Sequence, residues 1–317
     1  MAATARLAAR ARPIARPNPG VGAMLVKDGA VIARGWTQAG GRPHAEAHAL
    51  EGLQDGAAGG ATLYVTLEPC AHRSDRGPAC ADLVSKAAPA RVVIGQRDPD
   101  PRTAGMGIER LEDAGIAVDV LEDAASAKSL KGYLTKASLG RPYVTLKLAM
   151  SLDGCIALAD GSSQWITGAL ARAHCHAHRA KNDAILVGGG TWRSDRPRLD
   201  VRLPGIEERS PTRIVLTRGV QPDGARVINT PEQIAKLEGV NYLYVEGGAG
   251  TAASFLAADL INELHIYRAP IIIGKGLPGI ADIGLGDLSE AHGRWQAAET
   301  RQLGTDNFTT YLRTRTA

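Results

Sequence analysis

A regular alternation of strand-type and helix-type segments, broken once near the middle, limits this chain to a layered α/β architecture. Val21 to Val26 and Val31 to Ala33 read as two strands that turn at Asp28-Gly29. His44 to Leu53 reads as a helix, Ala61 to Leu67 as a strand stopped by Pro69, and Ala81 to Ala87 as a helix. Arg91 to Gly95 has the apolar character of a buried strand. Ile108 to Ala114 forms a helix closed by Gly115, and Val118 to Leu121 a last strand. Helices that alternate with strands in this way cover both faces of a sheet, so a three-layer sandwich is expected.

The break comes after Ala124 to Leu139, which reads as a connecting helix ending at Gly140. The Arg141-Pro142 pair resists helix and marks a fresh start. With 317 residues, two domains are the natural division, 1–139 and 140–317. The second half resumes the alternation. Its strands are Tyr143 to Leu148, Ala184 to Val187, Arg213 to Leu216, Tyr242 to Val245 and Leu264 to Tyr267. Its helices are Ala169 to Ala180 and Ala252 to Ala258. The halves share no motif, so different folds are expected.

Composition narrows the function classes. Aromatics make up only 4% of the chain, so the cores must rest on Val, Ile, Leu and Ala. A net charge of +4 suits anionic small substrates and is too small to argue for nucleic acid. No apolar run approaches the ~18 residues of a membrane span. Met1 to Arg16 is rich in Ala and Arg and lacks acids. It has no continuous apolar core of a secretion signal, and a short first helix is the preferred reading. Four cysteines, Cys70, Cys80, Cys155 and Cys175, do not make a disulfide framework and point to a reducing cytoplasm.

The strongest chemical signal is His44-Ala45-Glu46, followed by Glu68-Pro69-Cys70 and then Cys80. Zinc deaminases ligate the metal with one His and two Cys and keep a fourth position for water. The expected ligands are therefore His44, Cys70 and Cys80, with Glu46 as the proton shuttle two residues after the His. A lone His or Cys is usually structural; the ordered set, each member in a fitting helix or strand-end context, is not explained that way. The cysteines are separated by nine residues where many deaminases have two. The segment Ala71 to Ala79 must loop out, and His72, Arg73, Arg76, Gly77 and Pro78 are placed to line a substrate site. His72 is a weaker rival to Cys80 as ligand. His48 does not complete a His-Glu-x-x-His pattern and is expected to be structural.

Several segments together resemble the bifunctional riboflavin-biosynthesis deaminase/reductase family. They are Pro17-Asn18-Pro19-Gly20-Val21-Gly22, Pro43-His44-Ala45-Glu46, Thr66-Leu67-Glu68-Pro69-Cys70-Ala71-His72 and Arg97-Asp98-Pro99-Asp100-Pro101. The second half adds Leu146-Lys147-Leu148-Ala149, Ser151-Leu152-Asp153-Gly154, Ser163-Gln164-Trp165-Ile166-Thr167 and Asp195-Arg196-Pro197-Arg198-Leu199. The likeness runs through nearly the whole chain in order. It implies a cytidine-deaminase-like first domain and a dihydrofolate-reductase-like α/β second domain. The implied reactions are hydrolytic deamination of 2,5-diamino-6-(5-phosphoribosylamino)pyrimidin-4(3H)-one, then NADPH reduction of the resulting uracil's ribosyl chain to ribityl. Such enzymes are often homo-oligomers. Gly20 and the Ser74-to-Ala79 stretch depart from the family's usual pattern.

No Gly-x-Gly-x-x-Gly fingerprint announces a dinucleotide site. Glu246-Gly247-Gly248-Ala249-Gly250-Thr251 lies between a strand and a helix. It reads equally well as a plain turn or as a loop that lets backbone N–H groups approach a pyrophosphate. The resemblance tips this toward cofactor and implies NADPH contacts at Gly247, Gly248, Ala249, Gly250, Thr251, Ala252, Ala253 and Ser254. It adds Ala149, Trp165, Thr191, Asp195 and Thr217, with Asp195 a candidate for polar assistance near the hydride. It implies substrate contacts at Lys147, Ser163, Arg179, Leu199, Arg202 and Glu246, where guanidinium forks suit a phosphate. Arg218 is a candidate for the 2′-phosphate. The helix bearing His174, Cys175, His176 and His178 invites a second metal site, but a solvated helical face is the expected account. A tRNA adenosine deaminase would share the His-x-Glu logic. It would have a short Cys-x-x-Cys and a basic face, and it leaves the second half unexplained. A scaffold that had lost its chemistry would be expected to lack Glu46.

Overall fold

The computed structural model describes residues 1–72, 76–219 and 222–315. The chain divides into two compact units, Met1–Arg141 and Pro142–Ala317.

In chain order the first unit comprises α1 (Ala2–Ala8), β1 (Gly22–Lys27), β2 (Ala30–Trp36), α2 (Ala45–Leu50), β3 (Thr62–Val65) and α3 (Cys80–Ala87). β4 (Arg91–Ile94), α4 (Met106–Asp113), β5 (Ala117–Val120) and α5 (Ala124–Leu139) complete it. The sheet order is β2-β1-β3-β4-β5. β1 is antiparallel to both neighbours, and β3, β4 and β5 run parallel. Asp28 and Gly29 both take positive φ at the β1–β2 turn, the backbone twist that a two-residue hairpin needs. Leu25, Leu63, Val65, Val92 and Ile94 of the sheet pack with Ala45, Ala49, Val84, Leu111 and Leu130 of the helices. α5 matches its expected ends because both are capped: the Asp123 side chain accepts from Ser126 N, and Gly140 closes it with φ 66°. α2 is shorter than expected, since His44 is an extended N-cap and Gly52 has φ 81°.

In the second unit, β6 (Tyr143–Met150) and β7 (Cys155–Leu158) precede α6 (Ala169–Arg179), β8 (Ala184–Gly188), α7 (Gly189–Asp195), β9 (Thr212–Leu216) and β10 (Arg226–Ile228). Then come β11 (Tyr242–Val245), α8 (Ala249–Ala257), β12 (Glu263–Arg268), β13 (Gly276–Pro278), β14 (Trp295–Leu303) and β15 (Asp306–Arg313). An eight-stranded sheet has the order β10-β9-β8-β11-β6-β12-β15-β14, and β7 pairs separately with β13. The run from β10 to β12 is parallel, while β15 and β14 are antiparallel additions. Leu146, Leu186, Ile214, Val245 and Phe255 form part of one core layer, and Ile185, Tyr244, Tyr267 and Phe308 part of the other. Among the described residues no helix is long and apolar enough to cross a membrane.

α6 overturns the expectation of a solvated histidine face. Cys175 and His176 are buried. His174 Nδ1 lies 2.9 Å from the Tyr267 hydroxyl, and the His178 ring packs edge-on to His265 at 4.4 Å. Burial, reinforced by the neighbouring His265 and His174, lowers the His178 pKa to about 2. These are neutral imidazoles packed as aromatics, which a polarity pattern counts as surface.

Candidate active sites

His44, Cys70 and Cys80 reach one point from three separate elements. His44 is the N-cap of α2, Cys70 ends the segment after β3, and Cys80 is the first residue of α3. Their ligand atoms all lie within 4.8 Å of one another, and among the described residues no other His, Cys, Asp or Glu group of three converges in this way. His44 Nδ1 faces the sulfurs, 3.5 Å from Cys70 Sγ and 3.3 Å from Cys80 Sγ. Both thiols are buried. A hydrogen bond from the Cys80 thiol favours the Cys70 thiolate, and the same bond keeps the proton on Cys80. One imidazole and two thiols at this spacing are a zinc donor set with a position left over. Glu46 adjoins it from the first turn of α2, 3% exposed. Burial raises its carboxyl to about 7, the range in which one group can both take and give a proton near neutrality.

α2 can lie this close because β2 carries a glycine where it crosses: a Cβ at Gly35 would sit 2.1 Å from the Ala45 carbonyl oxygen. Beneath the site Glu68 ties the β4–α4 loop to the cysteine segment. One carboxylate oxygen accepts from Gly107 N and Ile108 N at 3.0 and 3.3 Å, and the other from Asp98 N and Gly105 N, both at 3.2 Å. Sequence reasoning gave Glu68 no role. Its signal was an acid next to Pro69-Cys70 at the end of a buried strand, where a charge needs several donors. Asn18, quoted only as part of a motif, reaches His44 Nε2. His72 bonds Thr103 at 3.4 Å and stands outside the metal group. His48 is structural, held by Gln38 at 2.9 Å and set edge-on to Trp36. Arg76 donates to Gly40 O at 2.6 Å; Arg73 lies outside the described residues.

In the second unit Thr217, Thr191 and Gly247 to Ser254 follow the carboxyl ends of β9, β8 and β11, the place where parallel sheets bind ligands, while Ala149 lies on β6, Trp165 between β7 and α6, and Asp195 at the end of α7. α7 starts from Gly188 and α8 from Gly248, so two helix N-termini follow adjacent strands. Thr191, Thr217 and Thr251 face this edge. A Cβ at Gly248 would lie 3.6 Å from Thr191 Oγ1, at Gly189 2.8 Å from Thr217 Oγ1, and at Gly188 2.2 Å from Thr251 Oγ1. Gly250 and Gly190 open onto free space. Gly247 serves packing instead, since Thr251 Cβ would be 2.4 Å from its Cβ. Ala252 and Ala253 are buried and Ala149 packs on the core, whereas Gly248, Ala249 and Ser254 stay partly accessible. Asp195 is exposed at the end of α7, accepting from Ser194 at 2.7 Å. Trp165 is 63% exposed, with the Arg172 guanidinium 4.7 Å over its ring.

Three of the expected substrate residues, Lys147, Arg179 and Glu246, meet, and a fourth, Arg202, is linked to them through Asp200. Arg179 grips both Glu246 oxygens, Nε at 2.6 Å and Nη2 at 2.9 Å. Lys147 Nζ lies 3.6 Å away. Burial works to raise the Glu246 pKa, but the Arg179 and Lys147 charges outweigh it and hold the carboxyl at about 2. Leu199 is buried in the layer containing Cys175 and Tyr244. Arg179 also donates to Asp200 O at 3.0 Å, and Arg202 Nε is 3.4 Å from the Asp200 carboxylate. A cavity of about 440 Å³ opens here, lined by Arg198, Asp200, Arg202, Glu207 and Ser210 among others. Ser163 stands on the exposed segment between β7 and α6.

Known proteins match both halves of the chain. Residues 1–96 match the cytidine and deoxycytidylate deaminase zinc-binding region, and residues 142–309 match the RibD C-terminal domain. The chain is 37% identical to the riboflavin biosynthesis protein RibD of Escherichia coli (strain K12), over 96% of each chain. It is 37% identical to that of Mycobacterium tuberculosis over 92% of this chain and 89% of the relative. Among solved structures, Acinetobacter baumannii RibD superposes with a TM-score of 0.88 at 32% identity, covering 99% of this chain and 97% of that one. A Thermotoga maritima diaminohydroxyphosphoribosylaminopyrimidine deaminase/5-amino-6-(5-phosphoribosylamino)uracil reductase has a TM-score of 0.87 at 30% identity, covering 98% of this chain and 97% of that one.

Proposed function

The chain belongs to the RibD family of bifunctional deaminase/reductases of riboflavin biosynthesis, and on that premise we propose how its two activities are divided and which residues carry them. Residues 1–139 deaminate the diaminopyrimidine phosphoribosyl compound. Residues 140–317 reduce the product's ribosyl chain. The observation that carries the first assignment is the convergence of His44, Cys70 and Cys80 beside a buried Glu46.

His44, Cys70 and Cys80 would hold zinc, which would supply the Lewis acidity that makes water a nucleophile at neutral pH. Glu46, buried beside the three donors, takes a proton from the attacking water and passes protons to the ring nitrogen and the departing amine. Glu68 keeps the Asp98-to-Gly105 loop against the cysteine segment. In the second unit NADPH would supply the hydride. The starts of α7 and α8 with Thr191 and Thr217 would hold the cofactor, and Trp165 and Asp195 would border it. Lys147, Arg179 and Arg202 face the phosphorylated substrate, with Ser163 and Leu199 lining its place. Glu246 fixes the Arg179 fork while leaving Arg179 and Lys147 together net positive.

The enzyme is expected in the cytoplasm, and its four free buried cysteines suit a reducing compartment. A homo-oligomer is the expected assembly: Leu152, Leu158, Ile271, Ile272 and Leu277 leave apolar surface open around the β7–β13 ribbon. Sedimentation of the purified chain tests this.

The deciding assay follows ammonia release and NADPH absorbance with the diaminopyrimidine substrate, with and without cofactor. Ammonia should appear without NADPH, and NADPH should be consumed only after deamination. Glu46→Gln should keep its zinc and lose ammonia release by at least ~10²-fold. Wild-type turnover in that variant would remove Glu46 from the role.

A further inference from the structure

We propose that His176 is a positioning residue of the reductase site, whose Nδ1 accepts the Arg202 backbone N–H and thereby sets the Arg202 guanidinium at the cavity beside Asp200. The proposal rests on the reading of Arg202 as a contact to the phosphorylated substrate and extends it to a residue outside that set. Arg202 N lies 3.2 Å from His176 Nδ1. His176 is 9% exposed, whereas the Arg202 side chain is 52% exposed and lines the cavity.

The segment that carries Arg202 is held from outside. Leu199 is buried with φ 56°, a left-handed conformation that a leucine keeps only where its surroundings impose it. The next three residues each have a side-chain partner on their backbone. Arg179 Nη1 donates to Asp200 O at 3.0 Å, Val201 N donates to Ser210 Oγ at 2.9 Å, and Arg202 N donates to His176 Nδ1. His176 and Arg179 both belong to α6, three residues apart on one face, so that helix grips the segment at two points. The Asp200 carboxylate stands between the Arg198 and Arg202 guanidiniums, at 2.6 and 3.4 Å. Arg202 is thus fixed at its head by Asp200 and at its root by His176.

The chemistry separates this role from packing. To accept an N–H, Nδ1 carries no proton, so the ring is neutral with its proton on Nε2. Burial, then the Arg179 and Arg202 charges, push the His176 pKa below the usual histidine value, against Glu246 and the Asp200 carbonyl. Removing the acceptor leaves the Arg202 N–H without its partner, and a half-buried donor so stranded favours movement of the segment. Phenylalanine keeps a ring and loses the acceptor. Asparagine loses the ring and keeps an acceptor, because its amide oxygen stands as many bonds from the backbone as Nδ1.

The test is reductase kinetics of the full-length chain with 5-amino-6-(5-phosphoribosylamino)uracil and NADPH. His176→Phe should raise KM for the uracil about 10-fold, the worth of one hydrogen bond to a charged group, with kcat and the KM for NADPH unchanged. His176→Ala, which removes the acceptor without the bulk of a ring, should do the same, and His176→Asn should keep the wild-type KM. In an Arg202→Ala background His176→Phe should raise KM no further, because it acts through Arg202. Wild-type KM in both His176→Phe and His176→Ala would overturn the proposal, as would an Asn variant no better than Ala, which would make His176 a packing residue. The full increase in the Arg202→Ala background would also overturn it, by showing that His176 acts elsewhere. A wild-type KM in Arg202→Ala alone would be a different failure, that of the substrate reading of Arg202 on which the proposal stands.

Discussion

Glu246 is a carboxylate that burial alone would neutralise, and two cations keep it ionised. Buried pairs are weak sources of net stability, yet breaking one by removing a partner strands a charge. Arg179→Ala is therefore expected to destabilise the second unit by about 3–5 kcal/mol, read from urea unfolding. Arg179→Lys should recover little, because a point charge cannot grip both oxygens. A loss below ~1 kcal/mol would mean that Lys147 alone neutralises the group. His178 gives a second test at this scale. Its folded pKa is depressed from the usual 6.5 to about 2, so the unfolded chain binds the extra proton in acid. Its contribution is complete above pH ~6.5 and is lost as pH falls toward 2, at up to about 1.4 kcal/mol per pH unit. His174 and His176 are lowered too. His178→Phe should flatten the pH dependence of the urea midpoint between about pH 6 and 4 by up to one proton; an unchanged slope would show that His178 protonates freely in the fold. The metal group was legible because His, Glu and Cys in that order have few other uses. Glu68 was not, since its role depends on which backbone amides the fold brings to it.

At the scale of elements, close packing at Gly35 decides whether α2 presents Glu46 correctly. The missing side chain leaves room for the Ala45 carbonyl and the Ala49 amide, 2.1 and 2.5 Å from where a Cβ would stand. Both obstacles are backbone, so the helix must shift to admit a methyl. Gly35→Ala should cost about 1–3 kcal/mol by overpacking and weaken zinc in the same variant, measured by unfolding and by chelator competition. Stability loss with unchanged zinc affinity would show that α2 moves as a body without disturbing His44. The same reasoning explains which elements the sequence revealed. β1, β3, β4, β6, β8 and β11 carry apolar runs, and α5 carries both its caps. β14 went unread because Trp295–Leu303 is largely exposed and mostly polar, so it lacks the alternation of a half-buried strand. α7 went unread because it opens on Gly189-Gly190, residues that signal a loop.

For the whole molecule, the break at Arg141-Pro142 separates two sets of core residues. Every member of the Leu25–Leu63–Ile94 cluster lies before it, and every member of the two second-unit clusters lies after it. Each half therefore has its own apolar core, and each holds one proposed ligand. A ligand that binds only the folded form stabilises the unit holding its site by RT ln(1 + [L]/Kd), about 2.7 kcal/mol at a hundredfold excess over Kd. Zinc removal should thus lower the unfolding transition of the first unit and leave the second in place. NADPH should raise the transition of the second and leave the first. Calorimetry of the full chain with chelator and with cofactor, with fragment mapping by limited proteolysis, assigns each transition. If chelator and NADPH both move one common transition, the two cores unfold as a single cooperative unit, and the separation read from the sequence break does not extend to energetics.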